Sequence, residues 1–201
     1  MTITSYNKSR IIGDAPNDSF NTRLIGDSIV RGQLVEFCGR APEKRKRFCI
    51  PGASCEDVTA VCDDVTKDAD NDTLYIIHAG TNDVSRSSSE ELLDRYRRMI
   101  RKYKTKSNSI LISGILPKIG AKNNFYDKAY SINNRLKTIC ALEKVDFFNL
   151  WDDFYNKSSL FLTDGLHLNP VGAAQLGRLF SEQVALYSAK NAKRSGAEMS
   201  T

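Results

Sequence analysis

Five short apolar runs recur along the chain: RLIG from Arg23, RFCIPG from Arg47, TLYIIHAG from Thr73, SILISGILP from Ser109 and VDFFNLW from Val145. Each has the length and the Ile, Leu, Val and Phe content of a buried parallel strand. The segments between them follow a helical period instead. In EELLDRYRRMIRKYK the residues Leu92, Leu93, Tyr96, Met99, Ile100 and Tyr103 fall on one face, and YDKAYSINNRLKTICALEK and VGAAQLGRLFSEQVALYSAK read as two further helices. Strands that alternate with helices imply right-handed crossovers and a parallel sheet. The pattern predicts an α/β protein: a three-layer α/β/α sandwich with a five-stranded parallel sheet in flavodoxin-like order.

Local signals mark the helix starts. One of Ser87, Ser88 and Ser89 is placed to cap the helix that Glu90 and Glu91 begin, because an N-cap hydroxyl accepts from the first turn and acids favour its positive end. Asn169 before Pro170 reads as a cap followed by a first helical residue. The folded domain is expected over residues 23–188, with 1–22 a flexible lead-in and 189–201 a disordered basic tail.

Composition narrows the class. The chain of 201 residues is 41% hydrophobic and 26% charged, as expected of one soluble globular domain. No apolar run approaches the roughly 18 residues of a membrane span, and the start, MTITSYNKSR, lacks a signal-peptide core, so an intracellular, cytoplasmic location is expected. Cys38, Cys49, Cys55, Cys62 and Cys140 are odd in number and irregularly spaced, which fits free thiols in a reducing compartment. His78 and His167 are the two histidines, and neither stands in a zinc-ligand spacing; no metal or other cofactor is expected.

The net charge of +5 comes largely from Lys44–Arg47, from RYRRMIRKYKTK over 95–106 and from the tail AKNAKRSG. Such clusters suit phosphate neutralisation on RNA or a membrane surface; a solvated helix face is the plainer account of them.

Open α/β sheets bind ligands at the carboxyl ends of their strands. Those ends carry Gly26-Asp27-Ser28, Pro51-Gly52-Ala53 and Gly80-Thr81-Asn82-Asp83, with Asp164-Gly165-Leu166-His167 ahead of the last helix. A serine hydroxyl attacks an acyl carbon only when a base takes its proton and a third group holds that base. Ser28, His167 and Asp164 have the chemistry of such a set, and the Ser28 N–H, the Gly52 N–H and the Asn82 amide are candidate donors to an oxyanion. Asp27 and Asp83 read as turn stabilisers and His78 as a partly buried, satisfied residue. Trp151 and its neighbouring aromatics read mostly as core, some of them as candidates for the acyl pocket, and the ILPKIGAK loop that Asn123–Tyr126 follows as a loop at the catalytic edge.

These four blocks, in order, resemble those of the SGNH (GDSL-type) esterase and acylhydrolase superfamily over residues 23–185. The resemblance implies the SGNH hydrolase fold, Ser28 as nucleophile, Gly52 and Asn82 with Ser28 in the oxyanion hole, His167 as base and acid and Asp164 as its orienting partner. The G-x-S-x-G elbow of α/β-hydrolases is absent. RFCIPGASCEDV, YIIHAGTNDV, ISGILPK and FNLWDDFYNKSSLFLTDGLHLNPVGAAQLGRLF are similar to the esterase domain in the first open-reading-frame protein of LINE retrotransposons, which implies a cytoplasmic ribonucleoprotein context. The expected activity is hydrolysis of short-chain acyl esters of a lipid, sugar or protein through an acyl-enzyme. The alternative is an RNA- or membrane-binding module in which hydrolysis is secondary. Oligomeric state and natural substrate stay open.

Overall fold

Thr22–Gly26, Arg45–Cys49, Leu74–His78, Ile110–Ser113 and Asp146–Phe148 form β1 to β5, and they pair in parallel in the order β2-β1-β3-β4-β5. The computed structural model describes residues 20–121 and 123–198, so most of the expected lead-in lies outside the described residues. Reversal of strand order beside β1 creates the crevice in which open α/β sheets hold ligands.

Side chains alternate across the sheet and separate two cores. Ile25, Tyr75, Ile77, Ile110 and Ile112 face α2 (Cys55–Ala60), α4 (Ser89–Lys104) and α5 (Asn123–Leu142). Leu24, Leu74, Ile76 and Leu111 face Leu176, Phe180 and Val184 of α7 (Pro170–Glu198). All six apolar positions of the 90–104 segment are buried. Ser88 caps α4, its hydroxyl accepting from the Glu91 N–H while the Glu91 carboxylate accepts from the Ser88 N–H, a reciprocal arrangement that satisfies two otherwise orphaned donors.

Other elements are short and broken. After β1 the chain makes a 3-10 turn over Ser28–Gly32, one α turn, α1 (Gln33–Glu36), and a second 3-10 turn over Cys38–Arg40. Tertiary packing breaks this segment: a Cβ on Gly32 would stand 2.8 Å from that of Ala173 on α7. The 55–66 segment divides at Val61 into α2 and α3 (Cys62–Thr66), yet Cys55 and Cys62 both point into the core as free thiols. At the other end α7 continues to Glu198, past the boundary at 188, through Ala, Lys and Arg residues of good helix propensity.

Two basic clusters turn out to be engaged within the fold. Arg45 is buried, its guanidinium 4.5 Å from the Phe37 ring centroid and donating to the Phe37 carbonyl and to Ser181 Oγ; Arg47 donates to the carbonyl of Arg31. Along α4 and just beyond it, Arg95 meets Asp83, Arg98 meets Asp94 and Glu56, Arg101 and Lys104 meet Glu143, and Lys102 and Lys106 meet Asp63. The side chains past Lys190 lie outside the described residues. No described helix is long and apolar enough to cross a membrane.

Gly26, at the end of the central strand, is held by close approach. A Cβ there would run into the carbonyl oxygen of His78 on β3 and stand 3.2 Å from Val30 Cγ1. Both neighbouring strands are tied to this residue, through Gly26–Cys49 and Gly26–His78 pairing, so neither can retreat alone. Gly26→Ala is expected to destabilise the protein by about 2 kcal/mol, the cost of overpacking a close-packed interior. Urea denaturation measures it, and an unchanged midpoint would mean that the sheet gives way more easily than this packing implies.

Candidate active site

The loops after β1, β2 and β3 lie side by side because their strands do, and hydrogen bonds join them. The Ile50 N–H donates to the Gly26 carbonyl at 2.8 Å and the Asp27 N–H to the His78 carbonyl at 3.4 Å. Asp27 caps the turn that carries Ser28, accepting from the Ile29 N–H at 2.9 Å. This agrees with its reading as a turn stabiliser. Ser28 therefore occupies the first position of a short turn, where its own N–H has no acceptor within the turn.

The fourth loop is built from its own residues. Asp164 Oδ1 accepts from the N–H groups of Leu166 and His167 at 2.8 and 2.9 Å. Gly165 adopts φ of +68°, which an L side chain rarely tolerates, and a Cβ there would strike the Ile119 carbonyl. The Ile119 N–H donates to the Gly165 carbonyl at 2.8 Å and the Leu162 N–H to that of His167 at 2.7 Å. These bonds clamp the loop between the segment after β4 and the start of α7.

The outcome is a linear hydrogen-bonded set. Ser28 Oγ lies 3.0 Å from His167 Nε2, and His167 Nδ1 lies 2.7 Å from Asp164 Oδ2. A carboxylate at Nδ1 fixes the proton on that nitrogen and leaves Nε2 to accept from the serine hydroxyl. The bond from His167, followed by those from the His167 and Leu166 N–H groups, holds the Asp164 carboxyl down at about 2, ionised at neutral pH. A recess of about 510 Å³ opens beside Ser28 and His167, lined also by Ile29, Arg31, Leu162 and Leu168.

Gly52 and Asn82 sit on the neighbouring loops. Gly52 turns the chain with φ of +74° and has open space where a Cβ would stand. The Asn82 amide donates to the Ala53 carbonyl at 3.0 Å and reaches Asp27 Oδ2 at 3.5 Å. Asn82 thus ties the β2 loop to the Ser28 loop, a contact its residue type alone did not disclose.

His78 is fully buried beneath this edge, its Nδ1 2.8 Å from Ser113 Oγ, and Nε2 has no hydrogen-bond partner among the described residues. Burial pushes its pKa down to about 4, so it is neutral at pH 7 and only half satisfied. Asp83 is a tie between elements: it accepts from the Cys55 N–H at 2.9 Å and pairs with Arg95 at 2.8 Å. Among the described residues no three His, Cys, Asp or Glu side chains gather as a cation site.

Known structures share this architecture. A member of the lipolytic G-D-S-L family from Veillonella parvula superposes with a TM-score of 0.70 at 17% identity, over 82% of this chain and 97% of that one. An acetylxylan esterase from Geobacillus stearothermophilus gives 0.65 at 17% identity over 83% and 94%. The esterase domain of the first open-reading-frame protein of the zebrafish ZfL2-1 retrotransposon is 29% identical over 82% and 99%, with a TM-score of 0.46. No curated protein matches the chain. The strand order, the Gly-Asp-Ser turn after β1 and the paired Asp and His before α7 converge with a family model that matches residues 24–175, and the chain belongs to the GDSL-like lipase/acylhydrolase family.

Proposed function

We propose that this acylhydrolase-family protein is a serine esterase that cleaves short-chain acyl esters through an acyl-enzyme. The observation that carries the reading is the continuous contact from Ser28 Oγ through the imidazole of His167 to Asp164. Ser28 Oγ attacks the acyl carbon as its proton passes to Nε2, and the Asp164 carboxylate stabilises the imidazolium. Collapse of the tetrahedral intermediate returns that proton to the leaving alcohol. Water, deprotonated by the same imidazole, then releases the acid.

The oxyanion would receive hydrogen bonds from the N–H groups of Ser28 and Gly52 and from the Asn82 amide. At 3.5 Å the amide's contact with Asp27 is its weaker one, and that is the bond we expect an oxyanion to displace. A donor so aimed contributes about 10²–10³ in turnover. The recess beside Ser28, part apolar through Ile29, Leu162 and Leu168, suits a small acyl or alcohol group. The resemblance of the connecting segments to LINE esterase domains supports a retrotransposon-encoded, RNA-associated setting. A direct RNA or membrane contact rests on charge alone, and much of that charge is paired within the fold.

An alkyl fluorophosphonate tests the nucleophile. It is expected to add once per chain, at Ser28 in the peptide map, and to abolish hydrolysis of chromogenic acetate and butyrate esters in proportion. Modification elsewhere, or full ester turnover after labelling of Ser28, would overturn the assignment.

A further inference from the structure

A second recess, of about 370 Å³, opens between α5 and α6 (Trp151–Phe154), and its lining is chemically unlike that of the Ser28 site. Tyr126, Tyr130, Trp151 and Tyr155 supply four rings, and Asp127 and Asp152 supply two carboxylates. Helical spacing gathers the rings: 126 with 130 and 151 with 155 are each one turn apart. Trp151 and Tyr155 lie nearly parallel, 19° apart with centroids 5.7 Å apart. Tyr126 stands perpendicular to both, at 88° and 85°, so the aromatic walls meet at right angles.

Packing explains only part of this cluster. Trp151 is buried and closes the end of the core. Tyr130 and Tyr155 stay 49% and 43% exposed, beside two carboxylates that have no hydrogen-bond or ion-pair partner among the described residues. The lining includes no Lys or Arg.

Ring faces with nearby carboxylates and no competing cation attract an organic cation: the ring quadrupole is negative at its face, and a weakly hydrated alkylammonium loses little on leaving water. A sugar hydroxyl can donate to either carboxylate, so it is the negative charge with no cation in the lining that favours a cationic ligand. We propose that the recess formed by Tyr126, Tyr130, Trp151, Tyr155, Asp127 and Asp152 binds a quaternary ammonium group. The site is separate from the Ser28 recess in every lining residue and does not depend on the esterase reading. Its ligand chemistry has two natural sources, a choline headgroup or a trimethylated lysine.

Trp151 is the single tryptophan of the chain, so its fluorescence reports on this recess alone. Titration with choline chloride at constant ionic strength is expected to give a saturable change, while the neutral isostere 3,3-dimethylbutan-1-ol gives none. Tyr155→Ala and Asp152→Asn alter exposed positions, and circular dichroism checks that both variants fold. Each is expected to weaken binding about fivefold, the scale of one cation–π contact for Tyr155 and of one partly exposed charge pair for Asp152. Glycerophosphocholine and N,N,N-trimethyllysine are titrated in parallel, and the tighter of the two names the source. An equal response to the neutral alcohol, the absence of saturation, or unchanged affinity in both variants would overturn the proposal.

Discussion

Ser28→Ala is expected to lower kcat for a chromogenic acetate by on the order of 10⁵-fold or more, the loss seen when a serine nucleophile is removed from a hydrogen-bonded triad. Stability should barely change. Ser28 Oγ has its one assigned bond to His167 Nε2, and the turn itself is capped by Asp27 rather than by the serine. His167→Ala should cost about as much, and the double variant little more than either single one, because the two groups act in one step and their losses do not add. Asp164 is half-exposed and binds the loop backbone as well as the imidazole, so Asp164→Asn should lower kcat less and stability more. Steady-state kinetics beside thermal melts separate these cases. A Ser28→Ala variant that keeps its turnover would remove the hydrolytic reading, whatever the geometry.

The parts of this site that could be read from sequence are those in which chemistry and backbone coincide. Ser28, Asp164 and His167 lie where a strand or loop must turn, and their residue types have one familiar joint use. The strands themselves are legible as apolar runs because Leu24, Ile25, Leu74, Ile76, Ile77 and their counterparts are buried on both faces. Charge was the poorest guide. Lys44–Arg47 read as one basic cluster, yet strand alternation sends Arg45 inward against Phe37 and leaves Lys46 exposed. Period-two reading of RKRFC held that signal, but arginine at an inward position is rare enough to be passed over. The α4 cluster needs tertiary knowledge, since Glu56 and Asp63 come from α2 and α3 and Glu143 from the turn after α5. Trp151 has the composition of a core residue and is one; the exposed tyrosines beside it depend on how α5 meets α6, which no local period encodes. The Asn82 amide is legible as a donor from its residue type, whereas its bonds to Ala53 and Asp27 depend on three loops meeting.

Asp27→Asn is expected to stabilise the protein at neutral pH and to have progressively less effect as the pH falls. Asp27 is fully buried, and desolvation raises its carboxyl from an ordinary 3.8 to about 6, against the pull of the Ile29 N–H and of His167 and with a further push from Asp83. Below pH 4 the carboxyl is protonated in both the folded and unfolded chain and contributes no difference. Between about pH 4 and 6 the unfolded chain releases the proton while the folded one retains it, so stability falls as the pH rises; above 6 both are ionised and the full penalty, about 3 kcal/mol, is present. Asparagine keeps the oxygen that accepts from Ile29 but presents an amide to the Asn82 amide, which removes the 3.5 Å contact at a cost of about 1 kcal/mol independent of pH. The two effects therefore separate. Urea denaturation of parent and variant between pH 4 and 8 should give a stability difference that starts slightly unfavourable, crosses zero at about pH 4.5 and reaches a plateau of about 2 kcal/mol in favour of asparagine. A difference constant across that range would mean that Asp27 is ionised throughout, its charge held by the Ile29 N–H and the neighbouring imidazole rather than opposed by burial.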